Sequence, residues 1–409
     1  MNILIVSQYF WPESFRINDF ALGLQAMDHN VTVLTGIPNY PNGSFFTGYH
    51  ALKIHSEDYH GIRIHRVPLI SRGKSRSLRL ALNYLSFAVS ASLLGPLFCK
   101  GKYDVIFVFM PSPITVGIPA IILKMLKRAP IFFWVQDLWP ESLQAVKAVK
   151  SRKILAAIEK LTRFIYQRCD KILVQSQAFI PAIKRLGIAE EKLFYFPNAA
   201  EALYQTNDAT AVNATLPKGF NIVFTGNIGV AQSFETIIQA AIQLKEYSDI
   251  HWIIVGDGRQ KEWLSEQIKL NQLENTFHLL GQYPPEAMPY FYEHAEALLI
   301  TLKKDPIFAL TIPSKLQSYL AYGKPVLGAL DGEPARIIQD ANAGLVGPAE
   351  DPVCLAGNIL KLYHLSRENR AILAHNGRQY FTKHFERNKL LQQFNSWLDE
   401  LKEPVECVS

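Results

Sequence analysis

Ser314 and Lys315 follow Pro313 in the stretch Thr311 to Val326, TIPSKLQSYLAYGKPV, where a loop opens directly into a helix that a glycine stops. Pro313 suits a first helical position, which has no use for an N–H, and Ser314 can satisfy a first-turn donor. Gly323-Lys324-Pro325 then ends the helix before the strand Val326-Leu327-Gly328. A solvent-facing helix start offers free N–H groups and the positive end of a dipole, and Lys315 adds a full charge beside them. The chemistry this suits is phosphate binding. An ordinary surface helix with a solvated lysine has the same pattern, so the surroundings of the stretch must decide.

Those surroundings are two series of buried strands, each followed by a loop and a helix. The first contains Met1 to Ser7, Val31 to Thr35, Gly61 to Val67, Val105 to Met110, Ile131 to Val135, Ile172 to Gln175 and Leu193 to Phe196. Continuous apolar runs with helical spacers call for a parallel sheet covered on both faces. The second contains Asn221 to Thr225, Trp252 to Val255, Phe277 to Leu280, Ala297 to Thr301 and Val326 to Ala329. Residues 202–219, rich in Asn, Asp, Thr and Ala, read as the linker between a domain of residues 1–201 and one of 220–384. A last helix in 385–409 is placed to pack back on the first domain. Ligands of such sheets sit at the C-terminal ends of the strands.

The chain has 409 residues, 49% of them hydrophobic and 19% charged, which is a globular composition with room for two cores. Its four cysteines are scattered, so neither a zinc site nor a disulfide framework is indicated. The first residues, MNILIVSQYF, read as a buried strand and not as a leader peptide. From Tyr59 to Gln136 one carboxylate, Asp104, faces eleven Lys and Arg, so this part of the first domain is polarised towards anions. Within it, Leu80 to Phe98 carries no charge over nineteen residues, the lower range for a membrane span. Asn83, Ser86, Ser90, Ser92 and Gly95-Pro96 weaken a span and leave two readings, a helix lying in a membrane surface or a helix buried in the domain. The basic preface Arg72 to Arg79 suits the former.

In the second series several glycine turns stand at strand ends: Gly226-Asn227-Ile228-Gly229, Gly256-Asp257-Gly258, Gly281-Gln282 and Gly332-Glu333. Missing side chains let backbone N–H groups approach an anion. The dinucleotide fingerprint G-x-G-x-x-G and the Walker pattern are both absent, which disfavours a dinucleotide oxidoreductase and a P-loop NTPase. No nucleic-acid partner is indicated.

The sequence resembles the bacterial family-4 glycosyltransferases of GT-B fold, and within them the O-antigen and capsule branch that includes N-acetyl-L-fucosamine transferases. The resemblance is carried by FRINDFALGL (Phe15 to Leu24), VTVLTGIPNYPNG (Val31 to Gly43), LALNYLSF (Leu80 to Phe87), PSPITVGIPAI (Pro111 to Ile121), QDLWPES (Gln136 to Ser142), FPNAA (Phe196 to Ala200), TGNIGVAQSFETIIQAA (Thr225 to Ala241) and PSKLQSYLAYGKPV (Pro313 to Val326). It implies an α/β protein, two Rossmann-like parallel-sheet domains facing a central cleft. It also implies transfer of a sugar, N-acetyl-L-fucosamine or another N-acetylated deoxyhexosamine, from a UDP-sugar. The acceptor would be an undecaprenyl-diphosphate-linked glycan at the cytoplasmic face of the inner membrane, where the protein would sit peripherally. No metal or other cofactor is implied; the UDP-sugar is a co-substrate.

The resemblance assigns donor binding to the second domain, and the expected residues are Gly226, Asn227, Gly229, Gln232, Gly256, Leu280, Gln282, Ser314, Lys315, Ser318 and Glu333. Acceptor binding falls to the first domain, with Trp11, Glu13, Asn18, Gln136 and Glu141 expected there. Several positions depart from the wider family. Its Glu-x7-Glu motif is replaced by Leu310 and Ser318, and the Arg and Lys of its first donor-domain loop by Asn227 and Gln232. Its cleft-loop His is replaced by Gln136. Lys315 is then the first candidate to neutralise a diphosphate, with Arg16 the second, and Glu333 a stand-in for the missing carboxylate. Asp137 or Glu141 accepts a proton or a sugar hydroxyl, or caps the helix after Leu138-Trp139-Pro140; Trp11 and Trp139 stack on sugars or lie in the core. Asp331-Gly332-Glu333 has a carboxylate pair at metal-motif spacing and reads as a loop. The competing functions are a nucleotide-sugar 2-epimerase, which would interconvert UDP-sugars without acceptor, and a non-catalytic sugar-nucleotide-binding partner of an assembly complex.

Overall fold

The computed structural model describes residues 1–51, 55–73, 77–145, 149, 151–200 and 214–402. The chain forms two compact units, residues 1–197 with 388–409, and residues 198–387. The greater part of the 202–219 linker, and Lys74 and Arg76 of the basic preface, lie outside the described residues.

The first unit holds β1 (Asn2–Val6), β2 (Asn30–Gly36), β3 (His55–Tyr59), β4 (Ile62–Val67), β5 (Val105–Met110), β6 (Ile131–Val135), β7 (Lys171–Val174) and β8 (Leu193–Tyr195) in the order β3-β4-β2-β1-β5-β6-β7-β8. Seven run parallel and β3 pairs antiparallel with β4. Strands such as Val-Ile-Phe-Val-Phe-Met in β5 are buried at every position, because helices cover both faces. The order reverses direction between β1 and β5, so the loops after these two strands part and leave room at the sheet's edge. The terminal helix Arg387–Asp399 belongs largely to this unit. Its Phe394 packs on Phe107 (4.9 Å between ring centres) and Phe20 (5.2 Å), and Trp397 on Phe194 (5.4 Å).

The second unit is a six-stranded, wholly parallel sheet: β9 (Phe220–Thr225), β10 (Ile250–Val255), β11 (Phe277–Gly281), β12 (Ala297–Thr301), β13 (Val326–Ala329) and β14 (Gly344–Gly347), in the order β11-β10-β9-β12-β13-β14. Its reversal falls between β9 and β12. These two pair only at Ala297 with Ile222 and Leu298 with Val223. The helix Ser314–Tyr322 connects β12 to β13, and Gly323 at φ 77° ends it in the left-handed region that glycine tolerates.

The helix Ser77–Phe98 lies on the first sheet with one face uncovered. Phe87, Ala91 and Asn83 are buried, while Leu78, Leu82, Leu85, Val89, Leu93 and Leu97 are exposed, the last five between 42% and 68%. The helix is neither wholly buried nor wholly exposed. One face is core, and the other is an apolar stripe at i, i+3, i+4 spacing.

Candidate functional site

Beyond the point where β9 and β12 stop pairing, Thr225 N donates to Tyr319 Oη (3.1 Å), and Thr225 Oγ1 shares hydrogen bonds with Tyr319 Oη (3.2 Å) and Tyr292 Oη (3.0 Å). This buried cluster fixes the helix Ser314–Tyr322 against the end of β9 and pushes the Tyr319 phenol up to about 12 by burial. On the opposite side Thr301 Oγ1 donates to the Gln232 carbonyl, and Lys303 N to Ala231 O (2.9 Å), so the loop after β9 is tied to the end of β12. The Gly226 turn and the start of the helix are thereby held side by side. A Cβ placed on Gly226 would lie 3.5 Å from the Lys315 ammonium.

The Lys315 ammonium donates to Gln232 Oε1 (2.9 Å) and stands 3.7 Å over the Phe224 ring centre. It forms no ion pair among the described residues. The residue keeps some exposed surface, yet its ammonium is desolvated, and burial pushes its pKa down to about 7. The expectation of a solvent-facing lysine is therefore corrected: this is a cation missing its counter-anion. Pro313 occupies the N-cap and not the first helical position, and it supplies no side-chain cap, so the nine-residue helix begins at Ser314, next to the residue that carries the ammonium.

The glycine turns around it are packed backbone to backbone. A Cβ on Gly256 would fall 1.8 Å from Gly226 O, and one on Gly258 2.3 Å from Ile228 O. Ile228 N donates to Asp257 O (2.8 Å), and Gly256 N to Gly281 O (2.8 Å). Gly226 and Asn227 are exposed, Gly229 is buried, and Gln282 is exposed at the end of β11.

Three donor-side candidates are engaged in contacts within the protein. Leu280 is half-buried and packs against the hydrophobic core. Ser318 is buried and donates to its own helix at Ser314 O (3.4 Å). Glu333 is buried as the first residue of the helix Glu333–Asp340 and ion-paired to Arg336 (2.7 and 3.0 Å), so it is already engaged. The Asp331 carboxylate accepts from Ala349 N (3.1 Å).

In the first unit the loop after β1 buries a carboxylate. Glu13 Oε1 accepts from the backbone N–H groups of Asn39 and Tyr40 (2.8 Å each), while Oε2 is buried with no hydrogen-bond partner. Burial outweighs these bonds and raises Glu13 to about 7. Asn18 is corrected from ligand to loop clamp: its Nδ2 donates to Glu13 O (2.7 Å) and its Oδ1 accepts from Trp11 N (3.1 Å). Trp11 stacks on Tyr59 (4.9 Å), its carbonyl is held by the buried Arg66, and Trp139 lies in the core. Arg16 begins the helix Arg16–Ala26 beside this loop.

Two residues that the sequence showed only as a charge and as a break in an apolar run complete this edge. Arg72 Nη1 donates to the buried Tyr9 Oη (2.9 Å), and its guanidinium stands over the Tyr40 ring (5.0 Å). Asn83 bridges Gln8 (2.7 Å), Asn39 (3.3 Å) and Ile70 O (2.6 Å). A lone Asn in an apolar helix was the available signal. After β6, Gln136 is half-buried, and its N donates to Met110 O (3.0 Å). Asp137 is raised to about 6, chiefly by burial, with Glu141 adding to the rise and Ser142 and Trp139 opposing it. Asp137 directly precedes the Leu138-Trp139-Pro140 turn, in which Ser142 N donates to Leu138 O (2.8 Å), and stands four residues before the helix Glu141–Ala145.

Residues 14–199 match the family described as Glycosyl transferase 4-like domain, and residues 206–380 the family Glycosyl transferases group 1. Two glycosyltransferase domains account for most of the chain. WcaI of Escherichia coli (strain K12), named as a colanic acid biosynthesis glycosyl transferase, is 26% identical over 79% of this chain and 82% of its own. TuaH of Bacillus subtilis (strain 168), named as a teichuronic acid biosynthesis glycosyltransferase, is 26% identical over 48% of this chain and 50% of its own. Among solved structures, Anabaena HepE in complex with UDP superimposes with a TM-score of 0.69 at 16% identity, covering 98% of this chain and 100% of that one. The fold is GT-B. Lys315 and the Gly226 turn lie within the group 1 match and Arg72 and Asp137 within the 4-like match, which begins one residue after Glu13.

Proposed function

We propose that this glycosyltransferase moves a sugar from a UDP-sugar to a hydroxyl of a lipid-diphosphate-linked glycan during synthesis of a surface polysaccharide. The observation that carries the reading is Lys315, a desolvated ammonium without a carboxylate partner beside an exposed glycine turn and an uncapped helix start. A diphosphate supplies the charge that this arrangement lacks. The names of WcaI and TuaH support a polysaccharide product, and the HepE complexes with UDP and UDP-glucose support a uridine nucleotide. N-acetyl-L-fucosamine or a related N-acetylated deoxyhexosamine is the sugar we propose.

Charge develops on the departing diphosphate while the sugar becomes oxocarbenium-like. Fixed donors aimed at that charge lower the barrier without reorganising, and Lys315 with the Gly226 turn does this with no metal. On the acceptor side Asp137, with a pKa near 6, is largely ionised at neutral pH and still basic enough to take the proton of the attacking hydroxyl. The lipid acceptor places the protein at the cytoplasmic face of the inner membrane, peripherally, through the exposed stripe of the helix Ser77–Phe98.

The test incubates the protein with lipid-diphosphate-linked N-acetylglucosamine and a panel of UDP-sugars, with and without a chelator, and reads products by mass. A single-sugar mass increment that persists in chelator is expected. UDP-sugar turnover without acceptor, or no transfer with any donor, would overturn the reading.

A further inference from the structure

An apolar groove of about 610 Å³ belongs to neither site: it runs along the helix Ser77–Phe98 and takes in part of the exposed stripe, lined by Phe45, Leu69, Ile70, Val89, Leu93 and Leu94. Its volume is within the roughly 300–1,000 Å³ of small-molecule sites. Arg79 also lines it, held by Ser71 O (3.2 Å) and Ser71 Oγ (3.1 Å), and the next residue along the strap is Arg72. Neither guanidinium has an ion-pair partner among the described residues. Ile70, in the groove wall, is bonded through its carbonyl to Asn83, which reaches Asn39, whose N–H holds Glu13. An apolar channel, two unpaired cations and the buried carboxylate loop thus follow one another along a single path.

We infer that this groove holds the first isoprenoid units of a polyprenyl diphosphate, with Arg79 and Arg72 taking its diphosphate. The inference rests on the proposed lipid-linked acceptor and assigns where that lipid binds. Charge complementarity selects this occupant: Arg79 lines the groove and Arg72 follows the Ser71 that holds it, neither in an ion pair among the described residues, so an apolar chain ending in an anion fits and a neutral hydrocarbon leaves the arginines unused. The path orders the ligand, with its tail beside Leu93, its diphosphate at Ser71 to Arg72, and its sugar towards Glu13.

The test measures equilibrium binding of farnesyl diphosphate, geranyl diphosphate and inorganic diphosphate to the full chain in detergent. Farnesyl diphosphate is expected to bind at least tenfold tighter than inorganic diphosphate, with geranyl between. Leu93, 68% exposed, can be enlarged without disturbing the core, so Leu93→Trp fills the groove and should cost tenfold for farnesyl diphosphate while leaving inorganic diphosphate unchanged. Arg79→Gln should weaken all three. Unchanged UDP binding by Leu93→Trp confirms folding. Equal affinity for farnesyl and inorganic diphosphate, or farnesyl binding that Leu93→Trp leaves intact, overturns the inference. These readouts need no sugar donor, so a protein that binds the prenyl chain but transfers nothing fails the proposed function and not the groove.

Discussion

The Lys315 ammonium is held by the Gln232 side-chain oxygen at 2.9 Å, above the face of Phe224, with neutral groups alone as its partners. Gln232 belongs to the loop after β9, so that loop is the acceptor for a cation carried on the helix Ser314–Tyr322. Removing the ammonium with Lys315→Met should weaken UDP by about 2–5 kcal/mol, roughly thirtyfold or more in Kd, with the fold intact. Calorimetric titration checks this, and a Kd within threefold of the parent sinks it.

The same lysine makes stability depend on pH. Its folded pKa is about 7 against an ordinary 10.5, so between these values the unfolded chain binds more protons and stability rises with pH. Below pH 7 the full cost of the buried charge is present, and above 10.5 it is gone. Lys315→Met should therefore stabilise the ligand-free protein at pH 6 and give little at pH 10, read from denaturant midpoints. Equal gains at both would show that the ammonium is solvated. UDP binding near pH 8 should take up a proton, seen as a buffer-dependent binding enthalpy.

Glu13 works in the opposite sense. Its folded pKa of about 7 lies above the ordinary 4.5, so the folded chain binds more protons between the two, and stability falls as pH rises across that window. Glu13→Gln keeps an oxygen for the Asn39 and Tyr40 N–H groups and removes the buried charge, so it should stabilise above pH 7 and have little effect below 4.5. Glu13→Ala leaves both N–H groups without an acceptor and should cost about 1–3 kcal/mol. If Glu13→Gln destabilises at pH 8, the carboxylate is better solvated than its burial implies.

Much of this fold could be read in the chain because parallel strands buried on both faces are continuous apolar runs. Val105–Met110, Ile131–Val135, Ala297–Thr301 and Val326–Ala329 have the ends their composition announced. His55–Tyr59 escaped notice because HSEDY is polar and sits at a sheet edge, where its pairing with β4 and not its own composition makes it a strand. Gly344–Gly347 was missed because two of its four residues are glycine. In the site, Lys315 and Gly226 were legible as a helix start and a turn, but their meeting depends on Tyr319 reaching Thr225 from 94 residues away. Arg72 was legible only as charge; its seat on Tyr9 and Tyr40 joins segments that no local pattern links.

Asp137 should govern the acidic limb of the rate. With a pKa near 6 it loses its proton just below neutrality, so kcat/KM is expected to rise with pH through about 6 and then level. Asp137→Asn should lower the rate by about 10²–10⁴ and remove that limb. Glu141→Gln, which deletes a neighbouring negative charge that helps raise Asp137, should move the limb to lower pH while keeping most of the activity. A limb that stays in place in both variants would assign it to another group.

The exposed stripe of the helix Ser77–Phe98 predicts a membrane contact that can be separated from the charge beside it. Leu82, Leu85 and Leu93 are each more than 40% exposed, so replacing all three by Gln removes apolar surface without opening the core. Fully burying a leucine side chain is worth about 1.5–3 kcal/mol, so even partial insertion of three should make the triple variant at least tenfold weaker in flotation on phosphatidylglycerol vesicles. Salt should weaken the parent through its cations, whose reach is about 8 Å at 0.15 M, while the difference between parent and variant persists at high salt because it is apolar. A difference that vanishes in high salt would mean that the arginines alone hold the protein to the surface and that the leucines stay in water.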